Sequence, residues 1–343
     1  MTSAESGLSE RMDSTSIPVE VSPRRRAVPW WVRRIGGGIL TLFAVSILIF
    51  LATQVLPGDA AKAILGRDAT PEKLEALRAQ LGLNRSALEQ YLDWSRNFVT
   101  GDFGMSLVNN RSVEELLVPR AMNTIALALC AILIALPLSI LLGSISAIRR
   151  DGPLDQGISV TSLTFNALPE FVIGLGLVVI FATGVMKIFP AVSIFPPEES
   201  AFSNPIALVL PAFSLVLAIS PYLIRLVRAS LIDALDSEYV LTARLRGIPE
   251  RRIMVNHALR NSMVPVVHGT ALILAYLAGG IVVIEYVFRF PGLGGLLLEA
   301  VSARDLPLIQ ATALFLAAVY VVVNLIADLL VVRLTPRLRG VGA

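Results

Sequence analysis

EYVLTARLRGIPERRIMVNHALRNSMVP, residues 238–265, is a polar, arginine-rich segment between two apolar runs, each long enough to span a membrane. Leu241 and Leu245 are four residues apart among good helix formers, which predicts a short helix at the start of the segment. Gly247 can adopt the left-handed conformation that ends a helix, and Pro249 suits the first turn of the next helix. The segment therefore predicts a helical hairpin at a membrane surface.

The hairpin has small residues at Ala243 and Gly247. Small side chains allow another protein to approach the backbone closely, so the hairpin could be a contact site. Cytosolic loops between membrane spans are usually basic, so an ordinary loop would have the same composition. The residues of the hairpin alone leave both interpretations open.

The composition of the whole chain is that of a helical membrane protein that crosses the bilayer several times. Of its 343 residues, 55% are hydrophobic and only 16% are charged, and the mean hydropathy is +0.72. A soluble domain has about 25% charged residues. The net charge of +3 reflects the placement of arginines and does not indicate a nucleic-acid surface. The single cysteine, Cys130, lies in an apolar run and has no partner for an intrachain disulfide.

Six apolar runs predict six transmembrane helices, an all-α fold. The first run, residues 35–56, follows a basic segment within a tail at 1–34 that we expect to be disordered and cytosolic. A signal peptide or a twin-arginine signal is the alternative, but no small-residue cleavage site follows the run. The other five runs lie within residues 121–333, at 121–148, 158–188, 205–227, 264–288 and 308–332.

Prolines interrupt these runs, and each proline frees a backbone carbonyl and tends to kink a helix. We therefore expect kinked spans, although prolines are also common in membrane helices in general. The prolines concerned are Pro137, Pro169, Pro211, Pro221 and Pro265.

Residues 57–120 differ from the rest because they are amphiphilic and mixed in charge. Thr70 and Pro71 are a typical N-cap and first helical residue, and a second short helix is expected at 87–98. Gly101 begins a turn. The segment predicts a small helical insert on the extracytoplasmic side, after the first span.

The basic residues indicate how the chain is oriented. Arginines are concentrated in the loops on the side of the N-terminus, whereas the lysines lie on the other side, which predicts that both termini, including the tail at 334–343, are cytosolic. The arginines are Arg149, Arg150, those within 225–260, Arg333, Arg337 and Arg339, and the lysines are Lys62, Lys73 and Lys187.

The hairpin resembles the cytoplasmic "EAA" coupling loop of binding-protein-dependent ABC import permeases, in which an alanine is followed four residues later by a glycine, here Ala243 and Gly247. The closer resemblance is to the dipeptide and oligopeptide permeases, whose loop is similar to DSEYVLTARLRG followed by HALRN and a proline. The general signature ends in Leu-Pro. Here Leu259 is followed by Arg260, as is usual in the peptide branch.

Further blocks of sequence are similar to the same family. After the first run these are Leu56–Asp59, Leu81–Leu83, Gln90-Tyr91 and Gly101–Ser106, and after the fifth run Pro291–Gly294 and Arg304–Pro307. The glycine-rich turn at 291–295 could suggest a phosphate site, but no Gly-Lys-Ser/Thr follows it. Thr335-Pro336-Arg337 departs from the family, which usually has Asp-Pro-Arg there.

The resemblance implies a type I ABC importer permease fold with a cytosolic coupling loop at 230–264, in the cytoplasmic membrane. It also implies a non-catalytic subunit whose partners are a second homologous permease, two ATPases that bind ATP and Mg, an extracytoplasmic solute-binding protein and membrane lipids, with no nucleic acid. The cargo implied is a di- or oligopeptide, with nickel, glutathione or another small solute as alternatives within the family. The residues implied in coupling are Glu238, Tyr239, Thr242, Ala243, Arg244, Gly247, Arg251 and Leu259.

Polar side chains within the apolar runs are candidates for the transport pathway, because ionisable groups at membrane depth usually face a cavity or a partner. Asn166, Glu170 and His268 are the selected candidates, and Asn123, Asn324 and Asp328 also qualify. Two isolated histidines, His257 and His268, do not make a metal site. An intramembrane enzyme or a structural scaffold is the less favoured class, because no paired catalytic residues are visible and a scaffold would not need the hairpin.

Overall fold

The computed structural model describes residues 30–55, 70–80, 85–196 and 198–334, and no β-strand occurs among them. Short π-helical segments at Val179–Thr183 and Ile253–Leu259 adjoin α6 and α9, a one-turn helix at Glu250–Arg252 precedes the second of these, and a 3₁₀ turn lies at Ala201–Ser203. The helices are α1 (Trp30–Val55), α2 (Pro71–Gln80), α3 (Ala87–Thr100), α4 (Val113–Ile148), α5 (Pro153–Ala167), α6 (Glu170–Val178), α7 (Pro205–Leu235), α8 (Glu238–Leu245), α9 (Arg260–Phe288), α10 (Leu293–Ala303) and α11 (Leu306–Leu334).

The long apolar helices confirm an all-α membrane protein. α1, α4, α7 and α11 are each long and apolar enough to cross a bilayer. Two bent pairs bring the number of candidate spans in the described chain to six: α5 with α6, and the stretch Glu250–Leu274 with Gly279–Phe288, which bends by 56°.

The run at 158–188 is not the continuous span that its hydropathy predicts. It is broken between α5 and α6, whose axes differ in direction by 104°. Leu168 and Pro169 are both extended at the break, with ψ angles of 133° and 145°. Proline disfavours the helical conformation in the residue before it and has no N–H to donate, so α5 must end here.

Other prolines do not break their helices. Pro137 lies inside α4, and Pro211 and Pro221 lie inside α7, and both helices continue through them. At Pro169, by contrast, the span is interrupted: α5 ends at Ala167 and α6 begins at Glu170. A proline in the sequence therefore does not reveal which span is interrupted.

Two predicted boundaries also differ from the structure. α1 begins at Trp30 and not at residue 35, and α4 begins at Val113, inside the segment expected to be the insert. The helix extends beyond the apolar run because Val113 and Leu117 are buried in a cluster that includes Leu296 and Leu308. The expected tails, apart from residues 30–34 and 334, lie outside the described residues, as do the blocks at 56–59 and 81–83.

The insert forms the two helices expected from its sequence. α2 begins at Pro71, and the hydroxyl of Thr70 accepts a hydrogen bond from the N–H of Lys73 at 3.3 Å. α3 is capped by Ser86 and Glu89, each of which accepts a hydrogen bond from the other's backbone N–H. These caps fix where both helices start.

α7 is the centre of the bundle and packs on α4, α5, α6 and α9. α1 lies at the edge and packs mainly on α11. One polar contact joins α1 to α11 near each end of the pair. Arg34 pairs with Asp328 at 3.1 Å at the end where the hairpin lies, and Gln310 donates to Thr53 at 2.8 Å at the opposite end.

Candidate functional site

The turn of the hairpin has the geometry that its sequence predicts. α8 ends at Leu245, and Gly247 has a φ angle of +74°, in the left-handed region. The N–H of Gly247 donates to the carbonyl of Arg244 at 2.9 Å, and the N–H of Ile248 donates to that of Ala243 at 3.2 Å. Glycine adopts this conformation without steric cost, which explains the residue at this position.

An ion pair connects the two arms across the turn. Arg244 Nε lies 2.7 Å from Glu250 Oε1. Both side chains are well exposed, so the pair stabilises the fold by less than about 1 kcal/mol. Pro249 lies at the N-cap of the next helical turn, with ψ at 139°, one position earlier than its sequence suggests.

The second arm is the start of a spanning helix. One helical turn at Glu250–Arg252 continues into the π-helix Ile253–Leu259, which continues directly into α9. π-helical turns are rare and often occur at functional sites. His257 and Leu259 lie in this π-helix, both partly buried. A displacement of the hairpin would therefore act on α9 without an intervening loop.

One face of the hairpin is buried against its own chain. Val240, Ile253 and Leu231 are fully buried, and Ala147 at the end of α4 belongs to the same cluster. Ala243 is also in this cluster, with 7% of its surface exposed. Its small size suits this packing within the chain, and its role in coupling to another protein stays a prediction.

The opposite face of the hairpin is exposed and carries large apolar side chains among polar ones. Leu245 is 81% exposed, Leu241 56% and Tyr239 41%. The spacing of the two leucines predicts only a helix, although leucines in a polar segment are themselves a signal of a contact. An exposed apolar patch on a folded surface indicates a partner. The remaining candidates on the exposed side are Glu238, Thr242, Arg244, Gly247 and Arg251.

A buried ion pair supports the base of the hairpin. Asp155, at the start of α5, is 3% exposed, and its two oxygens accept hydrogen bonds from Arg228 Nε and Nη2, each at 2.7 Å. The hydroxyl of Ser146 and the N–H of Asp151 donate to the same carboxylate. With these contacts, the pair joins the end of α4, the start of α5 and α7. In α7, Arg228 lies one turn before Leu231, which belongs to the buried cluster under the hairpin. Nothing in the sequence distinguishes this aspartate from a solvent-exposed one.

Two of the candidates for the transport pathway lie at the broken span. Glu170 is the first residue of α6, and its Oε2 accepts a hydrogen bond from the hydroxyl of Tyr276 on α9 at 3.0 Å. Asn166 is exposed in the last turn of α5, on the other side of the break. A carboxylate at this depth needs water or a polar partner, because lipid cannot solvate it.

The structure does not bring His268 to this break. Its Nδ1 hydrogen-bonds the carbonyl of Val264, 2.9 Å away in the same helix. It lies eight residues before Tyr276 in α9, which corresponds to about 12 Å along a helix, and it is closer to the hairpin. The three candidates therefore do not form one site.

Asn123 is a structural residue. It is 2% exposed, donates to the carbonyl of Pro291 at 3.2 Å and accepts from the N–H of Ala201 at 2.9 Å. These bonds connect α4 to two loops at the end opposite the hairpin. Its burial and partners remove it from the candidates for the transport pathway.

The glycine-rich turn encloses a carboxylate of the protein itself. Glu285 is fully buried and accepts hydrogen bonds from the Thr124 hydroxyl at 2.5 Å and the N–H of Gly294 at 2.7 Å. A Cβ atom added to Gly292 would lie 2.1 Å from Glu285 Oε1. The N–H groups that could hold a phosphate already hold Glu285, so this turn is not a nucleotide site.

Two of the sequence blocks meet at a buried aspartate. Asp305, in the block at 304–307, is 1% exposed. It accepts hydrogen bonds from the hydroxyl of Ser106 and from the N–H of Leu107 at 3.2 Å. The block at 101–106 is thereby fixed to the start of α11, which gives a physical reason for Ser106 in one block and Asp305 in the other.

No three His, Cys, Asp or Glu side chains are placed to hold a metal ion within the ranges that the structure describes. The arrangement combines exposed apolar side chains on the hairpin, a buried ion pair at its base and a carboxylate at the broken span.

Comparison with known proteins gives two kinds of match. Residues 139–340 match the family described as binding-protein-dependent transport system inner membrane component, and residues 28–128 match its N-terminal region. A putative peptide transport system permease protein of Brucella abortus is 36% identical over 308 residues, covering 90% of this chain and 98% of that protein. The glutathione transport system permease protein GsiC of Escherichia coli K12 is 35% identical over 311 residues, with the same coverage of 90% and 98%.

Proposed function

Because the chain belongs to the family of binding-protein-dependent transport system inner membrane components, we propose that it conducts peptides into the cell as one membrane subunit of an ATP-driven importer. Its membership of the family makes it a multi-pass transport permease of an ABC importer with the type I permease fold. The cargo, the partners and the mechanism below are our proposal.

The partners we propose are a second homologous permease, two ATPases and an extracytoplasmic solute-binding protein. ATP and Mg bind to the ATPases, and this chain carries no catalytic residue. The distribution of arginines supports cytosolic termini and a cytosolic hairpin. The described ends of α1 and α11 lie at the hairpin end, in agreement with this orientation.

Peptides are the preferred cargo because the curated relatives from Brucella are named for peptide transport. Glutathione is the second candidate, since GsiC of Escherichia coli is named for it and is almost equally similar. We place Glu170 on the pathway, where its carboxylate would meet the ammonium group of a peptide. Uptake of labelled dipeptide and of glutathione into vesicles containing the complete importer would separate the two.

We propose that Tyr239, Leu241 and Leu245 insert into a groove of an ATPase. The observation that carries this proposal is the division of the hairpin into a buried face and an exposed apolar face. An ATPase that covers the leucines would remove them from water, at about 25 cal/mol for each Å² of apolar surface. Because the opposite face is anchored to α4 and α7, a movement of the ATPase would displace those helices.

From the hairpin, the motion would reach the pathway through α5. The pair of Asp155 with Arg228 fixes the start of α5 beside the base of the hairpin. The other end of α5 is the break that precedes Glu170. We propose that α5 is the lever that transmits closure of the ATPases to the site of cargo passage.

The exposed leucines provide the test. Leu241→Ser with Leu245→Ser should leave the permease folded, because neither side chain is buried, but should abolish co-purification of the ATPases or stimulation of ATP hydrolysis by loaded binding protein. Leu88→Ser is the matched control, since Leu88 is 68% exposed on α3 in the insert. Normal assembly and stimulation in the double variant would refute docking through this face.

A further inference from the structure

A cavity of about 350 Å³ lies between α1 and α11 at the hairpin end. Its side in α1 is formed by Arg33, Arg34 and residues one and two turns further along, and its side in α11 by one face of that helix. Neither the hairpin nor Asn166, Glu170 or His268 lines it, although Asn324 and Asp328, two further polar residues of the apolar runs, do. The lining residues used below are Arg33, Arg34, Gly37, Thr41, Tyr320, Asn324 and Asp328.

The mouth of the cavity has a surplus of positive charge. Arg34 pairs with Asp328 through Nε at 3.1 Å, yet the side chain of Arg34 remains 62% exposed. Arg33 is exposed and has no ion-pair partner within the described part of the chain. Two arginines and one aspartate leave one positive charge. Guanidinium groups bind phosphate oxygens through paired hydrogen bonds, so an anionic phosphate group fits this mouth.

The deeper part of the cavity is amphipathic. Thr41 lies eight residues beyond Arg33, and Tyr320 lies eight residues before Asp328, which in each helix corresponds to about 12 Å. The hydroxyl groups of Thr41 and Tyr320 lie at this depth, and the amide of Asn324 lies about halfway to it, roughly 6 Å from Asp328 along α11. Apolar side chains of α11 lie beside them. A free phosphate would occupy only the mouth. A glycerophospholipid has an anionic head, then polar ester groups, then apolar chains, which is the order in which the cavity presents charged, polar and apolar groups from its mouth inward.

The position of α1 gives such a lipid a structural role. α1 packs mainly on α11, and most of its residues are exposed. A Cβ atom on Gly38 would lie 2.9 Å from Val321 Cγ1, so the two helices are close together there. At Gly37 a Cβ atom would meet nothing within 4 Å. The helices therefore separate enough beside Gly37 to admit a ligand.

We infer that this cavity binds one anionic phospholipid from the membrane leaflet on the hairpin side, with its phosphate against Arg33 and Arg34. The lipid fills the space between α1 and α11 and fixes the first span to the bundle. This site is separate from the proposed transport function and does not depend on the cargo.

The test is native mass spectrometry of the full-length chain in detergent, with phosphatidylglycerol as probe and phosphatidylcholine of the same acyl chains for comparison. We expect one tightly bound phosphatidylglycerol, with at least tenfold weaker binding of phosphatidylcholine. Gly37→Leu should fill the cavity and weaken phosphatidylglycerol binding at least tenfold, as should Arg33→Gln. Gly36→Leu is the control, because Gly36 also has open space around it but does not line the cavity.

Two results would overturn the inference. One is equal binding of the two lipids, or unchanged binding of phosphatidylglycerol to Gly37→Leu. The other is displacement of phosphatidylglycerol by an excess of inorganic phosphate, which would show that the mouth binds a free anion. Unchanged helical content of the variants, measured by circular dichroism, ensures that lost binding is not lost folding, and Arg33→Lys should restore part of the binding.

Discussion

At the scale of the residue, Gly247 combines a backbone requirement with an exposed position. Its φ angle of +74° is costly for other residues, yet a Cβ atom there would meet nothing within 4 Å in this chain. A side chain at this position would therefore be disfavoured by its own backbone conformation or by contact with a partner protein, and not by a clash with other residues of this chain. Two substitutions can distinguish these causes.

Gly247→Val is expected to insert into the membrane normally but to lose transport, because a β-branched residue in the left-handed region costs about 1–3 kcal/mol. Gly247→Asn tolerates this conformation much better. Transport and stimulated ATP hydrolysis are measured in vesicles containing the complete importer. If the asparagine variant is active, the backbone is the cause, and if both variants fail, a partner contacts this position. Wild-type transport by the valine variant would exclude Gly247 from coupling.

A second prediction at this scale concerns the glycine-rich turn. Gly292→Ala would push against the buried carboxylate of Glu285, and overpacking of this kind costs about 1–3 kcal/mol. At Gly295 the nearest atom to an added Cβ is the carbonyl oxygen of Phe290 at 3.4 Å, so Gly295→Ala should be tolerated. Thermal unfolding in detergent should show a lower midpoint for Gly292→Ala alone. Equal midpoints would mean that Glu285 can move aside.

At the scale of the element, the hairpin depends on its neighbours. α8 has eight residues, and isolated helices of this length are not stable in water. Val240 and Ala243 supply the missing stability by their burial in a cluster formed with the second arm of the hairpin, α7 and the end of α4. The same packing makes the hairpin and these helices one mechanical unit, which a flexible loop could not be.

The ion pair at the base of this unit gives the prediction for α5. Asp155→Asn leaves Arg228 without its charged partner, and removing one member of a buried pair costs on the order of 3 kcal/mol, less here because Arg228 is partly exposed. We expect a lower unfolding midpoint and weaker coupling of ATP hydrolysis to transport. Asp236→Asn is the control, since Asp236 pairs with Arg150 on the surface, with 65% of its side chain exposed. Equal effects of the two substitutions would contradict a special role for Asp155.

At the scale of the whole molecule, the two ends differ in kind. The hairpin end carries the exposed leucines, the arginines and the lipid cavity. The opposite end is fixed by buried polar residues, with Glu285, Asn123 and Asp305 joining loops to helices. This difference agrees with our proposal that the ATPases act at the hairpin end and that cargo arrives at the opposite end.

The orientation of these ends can be measured with single cysteines in a Cys130→Ser background. Glu75→Cys, on α2, should react with a membrane-impermeant maleimide in intact spheroplasts. Arg246→Cys, on the hairpin, should react only after permeabilisation. Both native residues are exposed, so neither label needs the protein to open. Labelling of Arg246→Cys in sealed cells would reverse the orientation.

The sequence by itself determined the membrane class, the helical hairpin and its glycine turn, because hydropathy, helix spacing and left-handed glycines are local properties. Motif similarity added the family. The sequence also singles out Glu170 and Asn166 as candidates, since polar residues at membrane depth are rare, but it does not reveal that Tyr276 donates to Glu170. Their role in transport stays a prediction.

Only the tertiary structure decided which side of each element is used. It turned Ala243 inward and Leu245 outward, broke one span at Pro169 while α7 continued through Pro221, and paired Asp155 with Arg228. These results depend on contacts between residues far apart in the chain. The identity of a residue fixes which bonds it can make, whereas packing decides which partner is within reach.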